Sequence, residues 1–485
     1  NWSGTGYFSN RKSNYSLSIG RMFFDGWSQN KIDRSYEWIP KEQYTGDYTY
    51  LLNLKKTRLT WRTSVLQTRL LDKGSPTAPY GETAIDQKFK NQRLDNSMAI
   101  DRNFKGGRLN LTIGNNYFYR TKNKYLKDLI SLNETLIPIN EEQDTQSFNA
   151  SLIRAVFSKT NIEGINVLAG LDANHEIGKG KRIENGLKEQ TDAALFFSID
   201  KTFSDRLTIR YGSRYAYNSA YETPHVYSWQ TRYNFPGSQS IKLAYGKGFR
   251  APSLKELYFS FFDSNHAIEG NDSLSAETSN SFTGSYIKYF GTEKTRLRFE
   301  LDGFYNSINN KIDLIVKNVT EAKYGNIGLF QSVGANAGFS MENTRFGGSL
   351  MYSYTGTYNG IDTSKRDFVF APQLVVKPYY VFQKWGTRFT MFANHYGQIS
   401  RVFEDENGNQ SVRSQQSYTL IDFTISQAFF KKTFNTTFGI RNMLNTINLT
   451  NTLIETGVHR SSSSSFAISP GRTFFISLQY EFIKK

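Results

Sequence analysis

The C-terminal stretch GRTFFISLQYEF, residues 471–482, reads with a period of two. Phe474, Ile476, Leu478, Tyr480 and Phe482 fall on one side, and Ser477, Gln479 and Glu481 on the other. A period of two with large apolar groups on one face is the signature of a strand rather than a helix. The same order recurs upstream in LTIRYGSRYAY, where Leu207, Ile209, Tyr211, Tyr215 and Tyr217 oppose Thr208, Arg210, Gly212 and Arg214. In IDFTISQAFF, Ile421, Phe423, Ile425 and Phe429 oppose Asp422, Thr424 and Ser426. One such strand would suit a soluble sandwich equally well, so the connections must decide.

Working outward from the last strand, we count roughly 21 alternating segments joined by short turns and long polar connections in turn, as in an outer-membrane barrel. Short turns are expected at Asn10–Ser13, Lys56–Arg58, Lys159–Gly164, Ser204–Arg206, Asn234–Ser238 and Lys431–Thr433. Long connections are expected near 25–47, 70–86, 120–143, 178–190, 250–279, 310–327, 401–416 and 447–470. Short turns gathered at one end are natural for periplasmic turns below extracellular loops. Trp27, Trp61, Trp229 and Trp385 lie near segment ends, where aromatic girdles meet the bilayer surfaces. Residues 1–485 therefore read as one large antiparallel transmembrane β-barrel of about 22 strands, an even number being the rule for such barrels. The odd count is expected to reflect either one strand upstream of Asn1 or one segment miscounted. Lys247 interrupts the outward set Ile241, Leu243, Tyr245 and Phe249, which requires its amine to reach the rim.

Composition agrees. The 485 residues include 38 Phe and 30 Tyr, yet the mean hydropathy is −0.53. That is too aromatic for disorder and too polar for spanning helices, whereas spanning strands need only alternate. The absence of cysteine excludes disulfides, thiolate metal sites and cysteine nucleophiles. The net charge of +16 is scattered along the chain and belongs to no nucleic-acid module. Anionic lipid headgroups or an anionic ligand account for it instead. No nucleophile elbow, phosphate loop or zinc motif occurs, so an enzyme is not expected.

Residues 245–259, YGKGFRAPSLKELYF, resemble the barrel of a TonB-dependent outer-membrane receptor, most of all the haem receptors of that family. FRAP at 249–252, NDSL at 271–274 in place of the family's Asn-Pro-Asn-Leu box, SAE ending at Glu277 and GIRNMLNT at 439–446 carry the resemblance. It implies active uptake of a scarce ligand across the outer membrane of a Gram-negative bacterium. It also implies an N-terminal plug, not present in this chain, that occludes the barrel and engages TonB–ExbB–ExbD, and in many relatives a surface lipoprotein. Within the family the ligand could instead be cobalamin or a ferric siderophore. A barrel serving only as a subunit of an outer-membrane assembly is the rival from another class.

Strand directions place 250–279 in an extracellular loop. In the haem-receptor subgroup a histidine between the two boxes is an axial ligand to haem iron, and His266 occupies that interval. A neutral imidazole is a good iron ligand. Tyr258, Phe259, Phe261 and Phe262 could supply flat apolar surface to a porphyrin, and Arg250 could pair with a propionate. His459, in the long loop 447–470 on the same side, is the expected second ligand. Haem is thus expected as transported ligand, with no intrinsic cofactor. His175 and His225 read as structural residues near outer strand ends, and His395 as a lumen or packing residue.

Overall fold

Alternation becomes a wall in the computed structural model, which describes residues 1–29, 34–139, 143–263, 266–316, 321–359, 368–404, 410–430, 433–450 and 465–482. Among them twenty-one strands follow one another as a meander, from Trp2–Ser9 to Thr473–Tyr480, each antiparallel to its predecessor. Seven shorter strands lie in the connections. The sequence count thus matches the wall. Twenty antiparallel steps leave the first and last strands pointing the same way, and among the described residues no pairing joins them. An antiparallel wall closes between such strands through one of opposite direction, in keeping with the even number expected. No described helix is long and apolar enough to cross a membrane.

Every second connection is short. At the first, the Asn10 carboxamide oxygen accepts from the backbone N–H of Lys12 (2.9 Å) and Ser13 (2.7 Å), while the Asn10 N–H donates to the Ser13 carbonyl (2.8 Å), fixing a tight turn. The opposite ends differ from expectation. Strands Thr57–Pro76 and Thr83–Phe104 run through most of 70–86, Gly107–Asp128 extends into 120–143, and Thr295–Val316 and Glu321–Asn343 occupy most of 310–327. A polar sequence ends the apolar band but not the ladder, because neighbouring strands keep bonding to each other above the bilayer.

The two faces separate as the period requires. Leu195, Leu243, Ile476 and Leu478 stay 58–69% exposed on the outside, as the lipid-facing side of a membrane barrel requires. Facing the lumen, the Arg210 guanidinium donates to Asp200 (2.6 and 2.7 Å) and that of Arg214 to Asp172 (2.8 Å twice). Large rings lie across glycines of the next strand. A Cβ at Gly439 would collide with Phe475, one at Gly334 with Phe304 and one at Gly170 with Phe196. Glycine there is demanded by space rather than by backbone angle. Trp229 and Trp385 project into the surroundings near opposite ends of the wall, as a girdle requires. Trp27 departs from that role: it bridges to Trp38 within the outer connection, ring centroids 5.1 Å apart.

The lipid-facing assignment has a measurable consequence. Leu195→Arg should cost about 2–4 kcal/mol at mid-bilayer depth. Ser198→Arg, on the lumen face of the same strand, should cost far less. Unfolding followed by the heat-dependent gel shift of the barrel in lipid distinguishes the two.

Candidate functional site

The loop that carries FRAP begins where strand Gln239–Arg250 leaves the membrane. Ser253 caps the helix Leu254–Tyr258, its hydroxyl accepting from Glu256 N–H (3.3 Å) while the Glu256 carboxylate accepts from Ser253 N–H (2.8 Å). This reciprocal cap is legible in the letters SLKE as Ser-x-x-Glu, a signal passed over in the sequence reading. Pro252 is fully buried, and Leu257 packs with Leu274 and Ile312 beneath Tyr258, Ala220 and Tyr324.

Arg250 is held from two sides. One guanidinium nitrogen donates to both oxygens of Glu256 (3.0 Å each), the other to Glu277 (2.7 Å). The hydrogen bond to Glu277 is the main reason the guanidinium pKa is raised above its usual value. Glu277, itself buried, also accepts the backbone N–H of Ile312 (2.7 Å). Asn271, the first residue of NDSL, donates to the carbonyl of Tyr324 (3.0 Å), and its backbone N–H to that of Glu256 (2.9 Å). Asn326 donates to the carbonyls of Asn310 (2.7 Å) and Ser275 (3.0 Å) and accepts Ser275 N–H (2.9 Å). The two boxes therefore form a clasp between the ends of three strands. Burial, then the nearby carboxylates of Glu256 and Asp313, push the Tyr324 phenol upward.

On its other flank the loop meets the connection 181–186. Ile183 bridges to Phe259, and Ser260 N–H donates to the Arg182 carbonyl (2.7 Å). Arg182 forms a buried pair with Asp144 (3.1 Å), and the Lys188 amine stands 4.4 Å above the Tyr258 ring. Beyond this lies a hairpin of Phe261–Asp263 and His266–Glu269, whose second strand runs parallel to Glu321–Lys323.

The candidate residues are thus placed unequally. Arg250 and Tyr258 belong to one rim cluster, with the acceptors of Arg250 supplied by the protein. His266 opens a strand at the tip of that hairpin, but its side chain and that of Phe262 lie outside the described residues. His459 lies outside them altogether. The other histidines are engaged. His225 stacks on Tyr215 at 4.2 Å and bonds to Ser213 Oγ (2.8 Å), and His175 bonds to Thr191 Oγ1 (2.8 Å). His395 stands opposite Leu374 and Thr419, one residue out of phase with the lumen-facing Asn394, and bonds to Thr419 Oγ1 (2.9 Å). It is a wall residue on the lipid side, not a lumen group. Among the described residues no group of three or more His, Asp or Glu is arranged to hold a metal ion.

GIRNMLNT forms a second clasp. Buried Asn442 donates to Ser469 Oγ and the Thr446 carbonyl (2.8 Å each), and its N–H donates to Asp422 (2.8 Å). The Arg472 N–H donates to the Asn445 side chain (2.9 Å).

Residues 1–443 match the family model described as TonB dependent receptor-like, beta-barrel. No curated protein matches the chain. Among solved structures, the siderophore receptor PirA from Acinetobacter baumannii superposes with a TM-score of 0.74 at 12% identity, over 99% of this chain and 77% of that one. The FrpB iron transporter from Neisseria meningitidis gives 0.71 at 10%, over 99% and 79%. A ferric enterobactin receptor mutant from Pseudomonas aeruginosa, PfeA, in complex with enterobactin, gives 0.72 at 12%, over 98% and 77%. At these identities the likeness is one of fold.

Removing the acceptor at the centre of the clasp should free the loop. Glu277→Ala leaves Arg250 half-paired and the Ile312 N–H without its acceptor, on the order of 1–3 kcal/mol. Hydrogen exchange should then rise throughout 251–276. Glu256→Ala should act mainly on the helix start, by about 1 kcal/mol.

Proposed function

Because this chain belongs to the TonB-dependent receptor-like β-barrel family, we propose that it is the transport wall of an outer-membrane receptor for an iron-bearing ligand, with a ferric siderophore as the ligand class. The observation that carries this reading is the rim clasp. Arg250 is occupied by Glu256 and Glu277, and Tyr258 is covered by the Lys188 amine, so neither is laid open as a seat for a porphyrin. Capture then falls to the outer connections and the upper lumen. A barrel of about 22 strands encloses a lumen too wide for side chains to fill. Ligand passage then needs an occluding plug coupled to TonB–ExbB–ExbD, as the family implies. The excess of Lys and Arg, +16 overall, favours an anionic ferric complex approaching from outside. PirA and PfeA, whose titles name a siderophore receptor and a ferric enterobactin receptor, share this fold.

Haem is the second reading, and His266 supports it. The residue begins a strand at the tip of an outer hairpin, where a backbone held by Asp263 and by the parallel ladder beyond it would present an imidazole. In that case His459 supplies the second axial position.

Titration separates them. Ferric catecholate or hydroxamate chelates should quench the intrinsic fluorescence of the purified protein saturably, while haem leaves its own Soret band unshifted. A Soret shift that His266→Ala and His459→Ala both diminish would replace the siderophore reading with haem. An enlarged outer-membrane assembly in cells lacking any iron-dependent uptake phenotype would argue for a docking barrel instead.

A further inference from the structure

High on the lumen face, strands Ile165–Gly180, Leu187–Thr202 and Leu207–Asn218 bring oxygen-bearing side chains into two adjacent cross-strand rows. Glu176 stands directly opposite Gln190. In the next row towards the short turns, Asp192 lies between Asn174 on one side and Asn218 on the other. The connection after Asn218 brings Tyr221 down onto them. Its hydroxyl donates to Asp192 Oδ1 (3.2 Å), the Asn218 amide donates to the same oxygen, and the Gln190 side chain reaches the hydroxyl. Burial, then the Asp192 charge, pushes the Tyr221 phenol upward, so it keeps its proton. One residue back, the Ala220 N–H donates to Asn218 Oδ1 (2.7 Å), and Ala220 packs against the Leu257, Leu274 and Ile312 cluster beneath the clasp.

Acceptors are left over. Asn174 donates to Glu176 Oε1 (2.8 Å), and both bonds to Asp192 fall on Oδ1, so the second oxygen of each carboxylate stays open. Gln190 is only 4% exposed, and its Oε1 is buried without a hydrogen-bond partner. Such an atom calls for a donor or a cation. The nearby cations are committed elsewhere: Arg214 to Asp172 (2.8 Å twice) and Lys188 to Glu184 (3.0 Å). Glu176 and Asp192 therefore have no ion-pair partner among the described residues.

We propose that this cluster binds a calcium ion, held by the carboxylates of Glu176 and Asp192 and the amide oxygens of Gln190 and Asn174, with water from the lumen completing the shell. A water molecule alone would give Gln190 its donor but leave both charges uncompensated, whereas a divalent cation answers both. The donors are all oxygen, part charged and part amide, which suits a hard cation taking six to eight oxygens in a flexible geometry. Magnesium demands a near-ideal octahedron and gives up its water reluctantly. Metals that favour imidazole or thiolate find neither in this ligand set. Occupancy fastens the Tyr221 connection to the wall and, through Ala220, steadies the packing beneath the clasp. The site does not depend on which ferric complex is carried.

Terbium luminescence and hydrogen exchange on the purified protein in detergent test it. Terbium should occupy the site and be excited through the Tyr221 ring, and calcium should displace it with a Kd of about 10⁻⁴–10⁻³ M, the range of weak extracellular sites. Magnesium should need a concentration at least roughly tenfold higher. Calcium should also slow exchange across 218–225. Glu176→Gln with Asp192→Asn, which keeps the shapes and removes both charges, should weaken calcium by roughly tenfold or more. Tyr221→Phe should dim the bound terbium while leaving calcium affinity within about twofold, since the phenol keeps its proton and is not a ligand. Calcium without effect on exchange or terbium emission in the unaltered protein would overturn the proposal even if the variants fail to fold. So would magnesium binding as tightly as calcium, calcium binding unchanged in the double variant, or emission undimmed in Tyr221→Phe.

Discussion

Hydrocarbon offers backbone N–H and C=O groups nothing to bond with, and each group left open there costs several kcal/mol. A strand is tolerable in it only between two others. That demand explains why the wall is an unbroken antiparallel meander, why polar side chains are confined to the lumen or to mutual pairs, and why the problem reappears at the outer rim. There the strands part to different heights, and the ladder loses partners one edge at a time. Asn271, Asn326, Asn442 and Glu277 all bond the backbone at such places. The short motifs that carried the family resemblance are, in this structure, largely devices for ending strands cleanly.

The wall was legible because a barrel strand repeats its information. Leu207, Ile209, Tyr211, Tyr215 and Tyr217 restate one period within eleven residues, and the last strand restates it again. Strand ends were harder. Residues 70–86 are polar and contain Gly74, Pro76 and Pro79, all marks of a loop, yet the ladder survives to Pro76 and resumes at Thr83. Polarity reports where lipid ends, and the two boundaries differ when a hairpin stands above the membrane. Of the two expectations for His395, the lumen fails for a related reason. A polar residue amid a strand suggests the lumen, but Thr419, its cross-strand neighbour, satisfies it on the lipid side, and that pairing depends on a register no single segment displays.

The rim cluster was legible in part. Arg250 was expected to meet a ligand propionate, but the carboxylates it binds in the protein lie six and twenty-seven residues away, and only Glu256 had a local signal, the capping spacing. Glu277 acts because strand Glu277–Gly291 pairs with Gln239–Arg250 so that the two residues face each other, a fact of register rather than of motif. Arg182 lies in a connection and Asp144 opens the strand Asp144–Ile162, a pairing that sequence proximity does not reveal.

Tying the loop down so firmly has a consequence for capture. A guanidinium shared by two carboxylates gives up little to an incoming carboxylate, since the ligand must displace a bond of equal strength and leave a buried acid unpaired. Under the proposed function, ligand selection by this loop would therefore rest on the segment that leaves the clasp, the hairpin around Asp263 and His266, and on the surfaces facing it across the mouth. The clasp fixes where that hairpin begins, and in that reading the side chains it presents would decide what binds. Because Ala267–Glu269 pairs with Glu321–Lys323 of the wall, the tip's backbone is tied to the barrel as well, and only an exchange of its side chains would leave the strands undisturbed.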